Sequence, residues 1–153
     1  MPADSFDLQR FIDAQEQVYP QVLAELRAGR KRSHWIWFIF PQIAGLGSSP
    51  TSQHFALKSI AEAGAYLEHP VLGPRLRECT QLVLEIHNRM QGRAIDKILG
   101  DPDDLKFWSS MTLFAEATTE NRLFLDAIAT YFAGQPDTNT LRLLRVLSSE
   151  GQR

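Results

Sequence analysis

The sequence predicts an all-α fold, a single compact multi-helix domain over residues 1–153 built around a buried aromatic segment, and three observations predict it. Apolar residues recur at spacings of three and four along most of the 153 residues, and glycines and prolines punctuate those stretches. No stretch alternates apolar with polar residues as a half-buried strand would. Six consecutive large side chains, Trp35-Ile36-Trp37-Phe38-Ile39-Phe40, leave no polar face to give to water and must lie inside. Their composition also suits a strand. With no partner strand in view, a short buried helix capped by Ser33 is the expected form.

The other elements follow in order. Leu8, Phe11, Ile12 and Gln15 form a narrow stripe after a Ser5 cap. Pro20 suits the first turn of a second helix, with Val22, Leu23 and Leu26 inward and Gly29 as its stop. Gly45, Gly47, Ser48, Ser49 and Pro50 shape a loop. Ser59-Ile60-Ala61-Glu62 has capping-box spacing and opens a helix that ends before Pro70. The longest helix starts at Pro74, buries Leu76, Cys79, Leu82, Val83 and Ile86, and closes at Gly92. A short piece runs from Arg93 to Leu99. Gly100-Asp101-Pro102-Asp103-Asp104 then supplies a cap, a first-turn proline and the acids that a helix N-terminus favours. Thr119 caps a helix that ends at Gly134, and Leu141, Leu144 and Val146 or Leu147 make a last amphipathic turn or two.

A formal charge of -2 argues against a chain that coats nucleic acid or an anionic membrane. The N-terminus lacks a basic start followed by an apolar stretch, and the run of six is far too short to span a bilayer. Cys79 is the lone cysteine, so no internal disulfide forms. A cytoplasmic protein is the expectation. Familiar chemistry is missing from the sequence. Gly45-x-Gly47 lacks the third glycine of a dinucleotide fingerprint, no Gly-Lys-Ser or Gly-Lys-Thr loop is present, and Gly-x-Ser-x-Gly is absent. His34, His54, His69 and His87 are scattered without metal-ligand spacing, so no metal is expected and no cofactor is indicated.

Two stretches remain. Arg30, Lys31, Arg32 and His34 precede the buried run, Gln42 follows it, and Gly45, Gly47 and Ser48 put backbone N–H groups in an unobstructed turn. Cations, open backbone and a stacking ring can together hold an anion. Trp35 and Trp37 stand two apart in a helix, so at most one of them lines a pocket. The plainer reading of the three cations is a solvated helix end. The second stretch is Lys106, Ser109 and Ser110, at i, i+3 and i+4, which would place an ammonium and two hydroxyls on one helix face. Its plainer reading is close helix packing at the serines, with Lys106 paired to Asp103.

His34-Trp35-x-Trp37-Phe38-Ile39-Phe40-Pro41-Gln42-x-x-Gly45-Leu46-Gly47-x-Ser49, His69-Pro70-Val71-Leu72-Gly73-x-Arg75-Leu76, Lys106-x-x-Ser109-Ser110-Met111-Thr112-Leu113-Phe114 and Asp137-x-x-Thr140-Leu141 stand in this order along the chain. Together they resemble the bacterial domain-of-unknown-function family 1810, from Phe6 to about Leu144. The resemblance implies an all-α fold and no established activity. Its members sometimes carry the label calpastatin-like, but protease-inhibitory calpastatin is a disordered repeat protein and this chain has the composition of a packed domain. Phe55 stands where the family commonly has tyrosine and Trp108 where a smaller or polar residue is usual. The first removes a hydroxyl and the second makes its face more apolar.

Two functions fit these residues. In one, both stretches converge on a hollow for a small anionic, phosphate-bearing ligand. Arg30, Lys31 and Lys106 would neutralise charge, Trp37 and Gln42 would line the pocket, and the Gly45–Gly47–Ser48 turn with Ser109 and Ser110 would orient oxygens. His34 is the weak catalytic candidate, for proton exchange, should chemistry follow. In the other, the motifs knit a helical core and the chain is a non-enzymatic module that binds a protein partner.

Overall fold

A computed structural model describes residues 6–151, with side chains from 6 to 147. Among the described residues there are ten helices and no strand. Ser5, the expected first cap, lies outside them. The helices are α1 (Gln9–Gln15), α2 (Tyr19–Arg27), α3 (Ile36–Ile39), α4 (Pro50–His54), α5 (Ile60–Glu68), α6 (Leu72–Arg89), α7 (Ile95–Leu99), α8 (Asp103–Ala117), α9 (Arg122–Phe132) and α10 (Thr138–Gly151). No helix among them is long and apolar enough to cross a membrane.

Helix α8 is the centre. It packs against α3, α5, α7, α9 and α10, and every residue from Ser109 to Ala115 is buried. A helix covered on so many sides needs no polar face, which is why its sequence shows small hydroxyl residues rather than an amphipathic stripe. The aromatic segment lies across it. Trp35, Ile36, Ile39 and Phe40 are fully buried, and the Phe40 ring meets Phe107 of α8 edge-on at 4.8 Å. A second chain of ring contacts, at 5.1–5.8 Å, joins Phe11, Tyr66, Phe114 and Phe124 through the core.

Several helix ends differ from expectation, each for a local reason. Ser33 does not cap α3, because its hydroxyl donates to the Glu25 carboxylate; Trp35 occupies the cap position without a side-chain bond to the helix N–H groups. Ser59 does accept from the Glu62 N–H at 3.0 Å, but Glu62 returns its bond to Lys58 N–H rather than to Ser59. Helix α6 begins at Leu72, two residues before Pro74. Pro102 sits just ahead of α8, at its cap, after a cis Asp101–Pro102 bond. Asn121, not Thr119, precedes α9, and Ala133 already takes the left-handed conformation before Gly134. Helix α10 runs for 14 residues, well beyond a turn or two.

The one β-like contact among the described residues bears on the site. Ile43 and Leu57 form an isolated parallel bridge, with Ala44 N–H donating to Leu57 carbonyl at 2.8 Å and Leu57 N–H to Gln42 carbonyl at 2.9 Å. It closes residues 44–56, including α4, into a loop standing over the exposed edge of the aromatic segment.

Candidate functional site

The aromatic segment is fixed at both ends by buried polar groups. At its start the Glu25 carboxylate, on α2, accepts from Arg32 N–H (2.7 Å), Ser33 N–H (3.0 Å), Ser33 Oγ (2.6 Å), Trp35 Nε1 (2.9 Å) and Gln21 Nε2 (2.9 Å). Burial pushes this carboxyl up, yet the donors from Ser33, Arg32, Gln21 and Trp35 outweigh it and hold the group down at about 2. At its end Gln15 Nε2 donates to Phe38 carbonyl at 2.7 Å, and Arg75 donates to Gln15 Oε1 at 3.2 Å. The hydrogen bonds of Glu25 and Gln15 are spent within the fold. Both set where the rings between them point.

With the ends held, α3 turns Trp35 inward and leaves Trp37 half-buried at the surface, the division that their spacing requires. The two chain-distant stretches then meet through Asp103. Its Oδ2 pairs with Lys31 Nζ at 2.7 Å and its Oδ1 with Lys106 Nζ at 3.3 Å. The Lys106 ammonium lies 4.7 Å from the centre of the Trp37 ring, and Lys31 lies 5.1 Å from that of Trp35. Lys106, Trp37, Gln42 and Gly47 thus come to one place.

That place is a pair of adjoining hollows with Gln42, Leu46, Gly47 and Ser52 as their common wall. The first, about 220 Å³, is completed by Trp37, Gly45, Phe55 and Lys58 among others. The second, about 260 Å³, opens toward Lys106, Trp108, Ser109, Asp137 and Asn139. Each alone is small for an organic ligand, whereas the two joined reach the range of ordinary ligand sites. The Gln42 side chain has no hydrogen-bond partner among the described residues, and neither do the backbone N–H groups of Gly45, Gly47 and Ser48. Gly47 is needed for packing, since a Cβ there would come 2.6 Å from Ser52 Oγ; Gly45 holds φ +104.

Other expected residues stand apart. Arg30 is exposed, and with Lys31 it lines a different depression, which shares no lining residue with the two hollows. His34 is exposed and borders neither hollow. Ser48 is exposed and lines neither, with its carbonyl accepting from Gln53 Nε2 at 3.1 Å. Ser109 does border the second hollow, but its hydroxyl donates to Asp137 Oδ2 at 2.6 Å. Ser110 is fully buried, its Oγ without a partner, and lines neither hollow. The single face expected for Lys106, Ser109 and Ser110 is not formed as an open one. Positions i+3 and i+4 lie about 100° apart around a helix, and here that arc runs from the rim of the hollow into the core.

Two buried acids are absent from the residues that the sequence offers for the site. Asp137 is buried just ahead of α10, where it accepts from Ser109, from Thr140 Oγ1 at 2.7 Å and from Asn139 N–H at 3.2 Å; the signal was the Asp137-x-x-Thr140 spacing of a helix cap. Glu25 falls three residues after Val22 and one before Leu26, on the apolar stripe of α2, and an acid there signals a buried carboxylate with partners. Trp108, the apolar departure, stacks on Phe132 at 5.4 Å and donates from Nε1 to Gln135 carbonyl at 2.6 Å, which holds the turn leading to Asp137. Phe55 packs between Phe11 and Phe38. Among the described residues no group of three or more His, Cys, Asp or Glu side chains could hold a metal ion.

Comparison with known proteins places the chain without assigning it an activity. No curated protein matches it. A crystal structure of the conserved hypothetical protein Rv1873 from Mycobacterium tuberculosis is 55% identical, with a TM-score of 0.89, over 93% of this chain and 99% of that one. The family model described as protein of unknown function (DUF1810) matches residues 5–144, and the chain belongs to that family.

Proposed function

We propose that the double hollow binds a small ligand with a flat ring and an acidic, phosphate-type group, a nucleotide or a similar phosphorylated metabolite. The observation that carries this reading is the approach of Lys106, from the second hollow, to Trp37, in the first, beside the unpartnered Gln42 amide of their shared wall. Asp103 offsets only part of the paired charge of Lys31 and Lys106, so an anion beside Lys106 gains from what remains. In the first hollow, Trp37, Leu46 and Phe55 offer apolar and aromatic walls to a ring, and Gln42 can both donate to and accept from its edge. Binding, rather than bond-making, is the function these groups suit. Asp137, the carboxylate bordering the second hollow, is engaged by three donors, and His34 lies outside the hollows.

A thermal-shift and calorimetric screen with nucleoside monophosphates, sugar phosphates, the free nucleoside and inorganic phosphate tests the proposal. At a hundredfold excess over Kd, a bound ligand raises stability by about 2.7 kcal/mol, and for a chain of this size the melting temperature rises by roughly 5–10 °C. Trp37→Ala and Gln42→Ala should each weaken binding at least tenfold while leaving the fold intact. No stabilisation by any anion, together with a co-purifying protein partner, would favour the interaction-module reading instead.

A further inference from the structure

Beyond the Lys31–Asp103 pair, a second face gathers charge of the opposite sign to the chain as a whole. Gly29 ends α2 at φ +79, and the following residues lie along α7, with Lys31 N–H donating to Ile98 carbonyl at 2.7 Å and Arg30 N–H to Glu25 carbonyl at 3.0 Å. Arg93, from the α6–α7 link, is held in place by backbone: its Nε donates to Gly29 carbonyl at 3.0 Å and its Nη2 to Lys97 carbonyl at 3.1 Å. Two adjoining open depressions, of about 480 and 470 Å³, share Arg30 and Lys31. Arg93 and Lys97 border the first and Arg32 the second. Arg30, Arg32, Arg93 and Lys97 enter no ion pair among the described residues, and Asp96 is the single carboxylate in the lining of either depression.

We infer that this face binds the phosphodiester backbone of a nucleic acid without reading its sequence. Arg30 and Arg32 keep their forked donors free to match phosphate oxygens two at a time, while Arg93, its Nε and Nη2 held by backbone carbonyls, adds fixed positive charge beside Lys97. The depressions are lined almost wholly by charged side chains, without the apolar walls that a small-molecule site offers. No aromatic side chain lines them to stack on a base, and Ile98, their one large apolar residue, is buried, so nothing there enters a lipid surface. The face is separate from the double hollow and its inference does not depend on the ligand proposed there.

Fluorescence anisotropy with labelled single-stranded RNA of mixed sequence, across a salt series, tests it. Binding in the tens of micromolar at 50 mM salt is expected, with log Kobs falling against log salt at a slope of about −3, as four phosphate contacts require. Arg30→Glu with Arg32→Glu should lower affinity more than tenfold. Both side chains are exposed, so circular dichroism and melting temperature should be unchanged. Arg122→Glu, an exposed arginine on α9, should leave affinity within twofold. No binding at 20 mM salt overturns the inference, as does RNA binding that survives the double reversal. Sedimentation with anionic vesicles or retention on a phosphopeptide that RNA fails to displace overturns it too, and assigns the face to that partner.

Discussion

Glu25→Gln is the substitution that probes most directly how the aromatic segment is held. The Glu25 carboxylate is 3% exposed and accepts five hydrogen bonds at 2.6–3.0 Å. Its ionisation lies at about 2 against an ordinary 4.5. A gap of that size corresponds to roughly 3–4 kcal/mol of stability at neutral pH, at about 1.4 kcal/mol per unit. Glutamine keeps one oxygen for the three N–H donors on Oε1 but loses the charge that strengthens those bonds, so a loss of about 2–3 kcal/mol at pH 7 is expected. Because the folded value is depressed, the contribution is complete above 4.5 and disappears as pH falls toward 2. Between pH 7 and pH 3.5 the difference between the two proteins should shrink by about 1.4 kcal/mol. Urea unfolding followed by tryptophan fluorescence at both pH values measures this. A difference under about 0.5 kcal/mol at pH 7, or one of equal size at both pH values, would refute the assignment of Glu25 as the ionised anchor.

Further outcomes follow from the same packing. Gly73→Ala would place a Cβ 2.1 Å from the Leu67 carbonyl oxygen at the α5–α6 corner, where backbone meets backbone; a loss of at least about 3 kcal/mol is expected, read as a fall in melting temperature of roughly 10 °C. Burial pushes the Cys79 thiol up to about 12, so a thiol reagent at pH 8 should react only as fast as the protein opens, and reaction within seconds without denaturant would contradict its placement. Asp137→Ala removes the group that Ser109, Thr140 and Asn139 share, which should cost about 2 kcal/mol. It should also raise hydrogen exchange in the first turn of α10 before that of α8, and equal exchange in both proteins would deny Asp137 its capping role.

The helical class was legible because it rests on local periodicity and on where glycines and prolines fall, and both act over a few residues. The burial of Trp35 to Phe40 was legible for a similar reason: a run with no polar face has only one place to go. Cap positions were less so. Ser33 has the right chemistry for a cap, but a carboxylate eight residues earlier takes its hydroxyl, and nothing local to Ser33 announces that competition. The approach of Lys106 to Trp37 was inferable only as a wager, since it depends on how α3 crosses α8. Arg30 and Ser110 show the converse. Arg30 stands next to Lys31 in sequence, yet Lys31 pairs with Asp103 while Arg30 is exposed and borders neither hollow. Ser110 shares a helix with Lys106, but α8 is covered on that side and the hydroxyl ends in the core. Spacing along a helix gives an angle, and which angle meets solvent is decided by neighbours the spacing does not name.

The central claim, that the aromatic segment and α8 together form a ligand site, is met most directly by a nitrogen-15 correlation spectrum recorded while adenosine 5′-monophosphate is titrated in, with adenosine and inorganic phosphate as comparisons. Saturable shifts are expected at the Trp37 indole and at the Gly45 and Gly47 amides, larger for the monophosphate than for either part alone, while the Trp35 indole, bonded to Glu25, stays in place. Resonances of Trp37, Gly45 and Gly47 that remain fixed under the monophosphate and under every phosphorylated metabolite in the screen would contradict it.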